Sequence, residues 1–291
     1  MPRSAVLIHN PGSGQGRDRF HSVTRMVDAL RGRGITVTPQ VTTGPADATR
    51  LTAAALLART DLVIVHGGDG TVNEAMQAMV GTATPLAVWP GGTSNVLARE
   101  LGLPGSMDLL ADVFAAERTR RVSVGRAGER YFLLMAGIGL DADIVRAVHP
   151  GLKRLTGEGA YWMAGLRQLT DWHPAHFVLE TDAGRHSATF AVVANAPSYG
   201  GGLRFAPDAR MDDDVLDICL FDSTQRHRFA RYLAAAFSGS HLGMPGVTYV
   251  KARRAVVHGD PSCFVQVDGE LLGPLPVSFE CVPEALSLVV P

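Results

Sequence analysis

Three short segments combine main chain and side chains suited to holding phosphate. Asn10–Gly14 reads NPGSG, Gly67–Thr71 reads GGDGT and Pro90–Asn95 reads PGGTSN. Each follows an apolar run, and the last two open directly into the helical patterns VNEAMQAM and VLAREL. Glycine permits the tight bend of a strand-to-helix junction and lets amides close on a ligand. The helix behind the bend adds unpaired N–H groups and the positive end of its dipole. Neighbouring bends of this kind build an anion site, and nucleotide phosphate is the chemistry they suit. The first segment lacks the GK[ST] ending of a P-loop, so its weight comes from its company.

Asp69 places a carboxylate at the centre of the second bend, where a bare phosphate would repel it. Its position therefore implies Mg²⁺ or a donor hydroxyl nearby. Thr71 and Asn73 offer donors, Glu74 falls in the first helical turn, and Thr93 and Asn95 put short polar groups beside Gly91 and Gly92. Asp-Gly can also mark a hairpin, but a helical pattern rather than a strand follows Gly70.

The elements that must position these bends follow from periodicity. Ala5–His9 reads as a strand, and Val23, Met26, Val27 and Leu30 fall on one helical face. A strand near Ile35–Val41 and an alanine-rich helix from Pro45 to Arg59 come next, followed by the two strand–bend–helix units. This βαβα order predicts a Rossmann-like α/β domain over residues 1–120 with a parallel sheet, whose ligands gather at the carboxyl ends of the strands. From Arg121 the texture changes to short strand-like runs: Arg121–Gly125, Tyr131–Ala136, His176–Thr181, Ala188–Asn195, Val215–Phe221, Val247–Val250, Ala255–His258, Phe264–Val267, Val277–Val282 and Leu286–Val290. They predict an antiparallel β-sandwich domain over residues 121–291, with a last segment free to return to the first domain. Two helices, Glu158–Leu169 and His227–Phe237, interrupt it, and their aromatic faces read as packing surfaces.

Net charge is −1 over 291 residues, which gives no sign of a nucleic-acid binder. Lys153 and Lys251 are the sole lysines, so phosphate charge in the first half must meet arginine, amides or a metal. Cys219, Cys263 and Cys281 are sparse and lack CxxC spacing, which reads as reduced thiols of a cytosolic protein. No apolar run approaches the roughly 20 residues of a membrane span, and the N-terminus lacks a signal-peptide core. His9 and His66, at strand ends beside the bends, read as satisfied polar residues rather than catalysts.

The ordered blocks NPGSG, GGDGT-VNE and PGGTSN-x-LAREL resemble the catalytic-domain signature of the diacylglycerol kinase superfamily, which includes sphingosine and ceramide kinases. The resemblance continues through AGIGLDA (Ala136–Ala142), NAPSYGGGLRFAPDARMDDDVLD (Asn195–Asp217) and VDGE (Val267–Glu270). It implies an α/β nucleotide-binding domain followed by a lipid-holding β-sandwich. It also implies transfer of the γ-phosphoryl group of ATP, with Mg²⁺, to the hydroxyl of a lipid such as diacylglycerol. By the same resemblance ATP contacts Asn10, Pro11, Gly12, Ser13, Gly14, Thr43, Gly67, Gly68, Asp69, Gly70, Thr71, Asn73, Glu74, Gly92, Thr93 and Asn95. A structural Mg²⁺ falls to the side chain of Asp213 with the carbonyls of Arg210 and Val215, and the general base to Glu270 or Asp268, with Asp69 a third candidate. Asp214 stands where the family pattern commonly has glycine, and Val96 is apolar as in the sphingosine kinase branch. A long-chain base or ceramide therefore stays open as acceptor, as do an NAD kinase-like enzyme and a non-catalytic lipid-binding protein. The sparse cysteines, the absent span and the apolar second domain predict a cytoplasmic protein, peripheral at the inner membrane face, and a homodimer stays open.

Overall fold

The computed structural model describes residues 3–13, 19–140, 142–143, 174–198 and 202–291. The helix expected over Glu158–Leu169 and the site residue Gly14 lie outside them. The chain divides into two compact units, Met1–Val122 with Glu284–Pro291, and Ser123–Pro283.

The first unit alternates β1 (Arg3–His9), α1 (Arg19–Arg31), β2 (Ile35–Val41), α2 (Asp47–Leu57), β3 (Leu62–Gly67), α3 (Asp69–Gln77) and β4 (Leu86–Pro90), followed by α4 (Val96–Glu100) and α5 (Met107–Ala115). Strands run parallel in the order β2-β1-β3-β4. Leu62–Val65 are wholly buried, as expected of a central parallel strand with helices on both faces. One of those faces is built from the helical stripe read in the sequence: Met26 and Leu30 of α1 and Leu110 and Phe114 of α5 cover Ala5, Leu7, Leu62, Ile64, Ala87 and Trp89.

Two strands pass through the unit boundary, β5 (Thr119–Ala127) and β16 (Val277–Val289). The end of β16 returns to the first unit, where Leu288 pairs in parallel with Leu86 and the Ala285 carbonyl accepts the Gly81 N–H at 2.7 Å. Two separate strands, Val277–Val282 and Leu286–Val290, were expected here. One long strand forms instead, absorbing its change of direction at Glu284, whose φ is 47°.

The second unit is an antiparallel sandwich. Its six-stranded sheet runs β12 (Val247–Ala252), β11 (Leu216–Phe221), β10 (Phe190–Ala194), β7 (Met135–Ile138), β14 (Phe264–Val267) and β15 (Glu270–Pro274). Facing it are β8 (Phe177–Thr181), β9 (Gly184–Ala188), β13 (Arg254–Gly259), β5, the first part of β16 and β6 (Arg130–Phe132). Period-two alternation serves two cores at once. Ala191, Val193, Ile218 and Leu220 point between the sheets. Phe190, Val192, Cys219 and Phe221 point the other way, onto Phe229, Tyr232 and Ala236 of α6 (Arg226–Ala236). The single strand expected over Tyr131–Ala136 is split into β6 and β7, because the amides at the break are drawn to a carboxylate described below.

Candidate active site

β1, β3 and β4 end side by side, and the chain order reverses between β1 and β3. In a doubly wound sheet such a switch point opens a crevice at the carboxyl ends of the strands. The three glycine segments occupy that edge and are tied to one another. The Asn10 N–H donates to the His66 carbonyl at 3.0 Å and the Gly91 N–H to the Gly67 carbonyl at 2.8 Å. Asn10 Nδ2 donates to Thr71 Oγ1 at 2.8 Å, and Ser13 Oγ to the Gly91 carbonyl at 3.0 Å. Glycine is required where two loops touch, since a Cβ on Gly92 would lie 2.5 Å from the Gly68 Cα, and again within the second bend, where one on Gly67 would lie 2.6 Å from the Thr71 Cβ.

Several expected nucleotide ligands hold the loops in shape. The Asn10 Oδ1 accepts the Gly12 N–H at 2.9 Å. Asn95 takes the left-handed conformation, φ 44°, and clamps its own loop: Oδ1 accepts the Gly92 N–H and Nδ2 donates to the Gly92 carbonyl, both at 2.8 Å. Asp69 accepts the N–H groups of Val96 at 3.1 Å and Leu97 at 3.2 Å. Those are the first-turn amides of α4, otherwise without intrahelical partners. The charge that the sequence alone would assign to Mg²⁺ or a hydroxyl is thus met by two main-chain donors.

The remaining positions are distributed around this centre. Gly70 lies in the first turn of α3. Asn73 is buried, its Oδ1 accepting Gln77 Nε2 at 3.2 Å, and the Glu74 carbonyl accepts the Thr49 hydroxyl at 2.7 Å. Pro11 and Thr93 are exposed. Thr43 is exposed next to Thr42, whose N–H donates to the His9 carbonyl at 2.9 Å. Its own hydroxyl and N–H both donate to Asp47. Those bonds, with Arg50, hold the Asp47 carboxyl at about 2. Asp47 escaped the sequence reading, although acidic residues are enriched in the first turn of a helix.

In the second unit, Asp268 and Gly269 have φ of 46° and 83°, the two positive values of a type I′ turn, and join β14 to β15 as a hairpin. The Asp268 carboxylate accepts three amides, from Leu133 at 2.8 Å and from Leu134 and Met135 at 3.0 Å. This separates β6 from β7. Glu270 follows on β15, 41% exposed, in an ion pair with Arg130. Arg130 lies 140 positions away, beyond any local pattern.

The acidic triplet Asp212–Asp214 is resolved residue by residue. Asp212 pairs with Arg210 and Asp214 with Arg253, so arginines relieve the self-repulsion that would favour a cation. Asp214 does not adopt a positive φ, so its replacing glycine costs no backbone strain. Among the described residues Asp213 makes no ion pair. Its Oδ1 accepts the Val215 N–H at 3.3 Å and its carbonyl accepts the Ser123 hydroxyl. No group of three or more His, Cys, Asp or Glu side chains able to hold a metal occurs among the described residues. One carboxylate with two carbonyls is nevertheless an all-oxygen set of the kind Mg²⁺ accepts when water completes its shell. Arg210, Asp213 and Val215 fit a hard cation in donor type.

Residues 4–127 match the diacylglycerol kinase catalytic domain, and residues 135–290 match the YegS C-terminal NAD kinase beta sandwich-like domain. A diacylglycerol kinase of Mycobacterium tuberculosis (strain ATCC 25618 / H37Rv) is 34% identical, the match covering 98% of this chain and 94% of the relative. A diacylglycerol kinase of Bacillus subtilis (strain 168) is 29% identical over 99% and 97% of the two chains. Among solved structures, a diacylglycerol kinase from Bacillus anthracis str. Sterne superposes with a TM-score of 0.81 at 26% identity, covering 99% of this chain and 97% of that one. Two domain matches in the observed order, and full-length likeness in sequence and fold, place the chain in the bacterial diacylglycerol kinase family, with its α/β catalytic domain and YegS-type β-sandwich.

Proposed function

We propose that the protein transfers the γ-phosphoryl group of ATP to the hydroxyl of a glycerolipid, diacylglycerol being the leading acceptor. The observation that carries this reading is the junction of the three glycine loops at the ends of β1, β3 and β4. Phosphoryl transfer asks mainly for positioning and for charge stabilisation over the transferred oxygens. The loop amides and the α3 N-terminus supply donors to the phosphates, and Asn10, Ser13, Asp69 and Asn95 hold those loops at fixed separations. Mg²⁺ carried with ATP offsets phosphate charge that no lysine of the first 152 residues can meet, and Asp213 with the Arg210 and Val215 carbonyls would hold a second, structural ion.

The acceptor oxygen attacks the γ-phosphorus, the bond to the β,γ-bridging oxygen breaks, ADP leaves and the hydroxyl proton passes to a carboxylate. We assign that carboxylate to Glu270. Asp268 is committed to three amides and Asp69 to two, whereas Glu270 is half-exposed and bound to one arginine side chain.

A two-chain lipid gains little by moving from a bilayer to an apolar pocket, since both are dry. The enzyme must therefore work while resting on the membrane, on its cytoplasmic side in this reading. No helix among the described residues is long and apolar enough to cross one. α6 offers a basic face for such contact, with Arg226, His227, Arg228 and Arg231 exposed and no acidic residue along the helix.

The test is transfer of label from [γ-³²P]ATP to mixed micelles containing diacylglycerol, monoacylglycerol, sphingosine or ceramide in turn. Diacylglycerol should be labelled best, and Glu270→Gln should lower kcat by two orders of magnitude or more with the fold intact. Label entering no lipid would overturn the reading, and preference for a long-chain base would replace its acceptor.

A further inference from the structure

His9 closes β1, and His66 stands opposite it near the end of β3, in turn opposite Trp89 on β4. The three rings form a stack: His9 and His66 have centroids 4.9 Å apart at 20°, and His66 and Trp89 lie 3.8 Å apart at 13°. Nδ1 of His9 lies 3.0 Å from Nδ1 of His66. His9 is 2% and Trp89 8% exposed. Both phosphate loops that flank this stack rest on it. Asn10 follows His9 and donates its N–H to the His66 carbonyl at 3.0 Å. Gly91 sits so close to the His66 ring that a Cβ would lie 2.8 Å from Cδ2 and Nε2.

An Nδ1···Nδ1 contact at that distance is a hydrogen bond only when one ring brings a proton and the other a lone pair. A second proton at this contact would set two N–H groups and two positive charges face to face. We propose that His9 and His66 are positioning residues for the nucleotide loops. They share one Nδ1 proton, and that bond sets the height of the Asn10 and Gly91 loops. The proposal rests on the nucleotide-binding reading above.

Charged groups stand on the elements packed around the pair. On the face that carries the stack, His21, Arg25, Asp28 and Arg31 of α1 and Asp108 and Asp112 of α5 are exposed. On α4, Arg99 is exposed and Glu100 half-buried. On the elements of the opposite face Asp47 is bound to Thr43, Glu74 stands on α3, and Asp69 is bound to the α4 amides.

Two measurements test the proposal. In ¹⁵N-labelled wild-type protein at pH 7.5, the imidazole spectrum should give a through-hydrogen-bond coupling between the two Nδ1 atoms, with one protonated and one not. Binding of a non-hydrolysable ATP analogue with Mg²⁺, followed by calorimetry, should weaken tenfold or more from pH 7.5 to 5.5 in the wild type. His66→Asn, whose amide nitrogen stands near the Nδ1 position and does not titrate, should bind within threefold of wild type at pH 7.5 and lose that pH dependence. His66→Leu should bind at least tenfold more weakly at pH 7.5. Absence of the coupling, a His66→Asn profile parallel to that of the wild type, or wild-type affinity in His66→Leu would overturn the proposal. Wild-type protein that shows the coupling yet binds no nucleotide at any pH would instead overturn the nucleotide-binding reading and, with it, the assigned role of the pair.

Discussion

Replacing Gly92 with alanine tests whether the separation of the glycine loops governs activity. The added Cβ would sit 2.5 Å from the Gly68 Cα and 3.3 Å from its nitrogen. Both are main-chain atoms with no rotamer to yield. Ordinary contact begins at 3.4 Å, so the second and third loops must part by about 1 Å, an amount able to cost on the order of 100-fold when reacting groups are displaced. That is about 2.7 kcal/mol of transition-state stabilisation. It should appear in kcat/KM for ATP, measured by phosphate transfer to diacylglycerol micelles. Gly105→Ala is the control, because a Cβ there meets nothing within 4 Å. Thermal unfolding of both variants separates loop displacement from loss of fold. Gly92→Ala activity within threefold of the control would refute the argument, since the loops would then tolerate the shift without consequence.

The two carboxylates of the VDGE hairpin should separate in their effects. Asp268→Ala strands three amide donors and should cost about 3 kcal/mol or more of stability, visible as a lower unfolding midpoint. Glu270→Gln removes one half-exposed ion pair, worth about 1 kcal/mol at most, and should leave that midpoint nearly unchanged. Burial pushes the thiols of Cys281 and Cys263 up to about 11 and about 12, and that of Cys219 higher still. None of the three should react with a disulfide reagent at pH 8 until the protein is unfolded. His241 is wholly buried with Nε2 3.0 Å from the Phe205 carbonyl, and burial lowers its pKa from 6.5. The folded form therefore binds fewer protons than the unfolded chain. Its contribution to stability is present above pH 6.5 and fades as pH falls through the folded value. His241→Gln should flatten that part of the unfolding profile between pH 7.5 and 5. Each arginine near an anionic surface adds about 1 kcal/mol, so Arg228→Gln with Arg231→Gln should lower partition onto anionic liposomes roughly 30-fold at low salt. Unchanged co-sedimentation would count against α6 as the contact face.

The α/β-then-sandwich order could be read directly from the chain because periodicity is local. The Met26–Leu30 stripe, the apolar run Leu62–Val65 and the alternation through Phe190–Val193 each declare their element within a few residues. The glycine bends were equally legible, since a strand-to-helix turn needs glycine at that spot whatever lies around it. What those bends do to one another was not. Asp69 could be seen to need a counter-charge, but that Val96 and Leu97 amides supply it depends on two loops meeting after folding. In the triplet Asp212–Asp214 the self-repulsion was legible, but the partner of Asp214, Arg253, lies 39 positions on, beyond any local window. Asp268 carried a hairpin signal in its Asp-Gly pair, yet its hold on Leu133, Leu134 and Met135, and so the break between β6 and β7, belongs to the assembled sandwich. His9 and His66 were individually unremarkable at two strand ends. Parallel pairing in register sets their rings against each other and against Trp89. Local spacing determines which elements form. Hydrogen-bond partners of charged and polar groups are settled by long-range register, because water satisfies those groups until the fold excludes it.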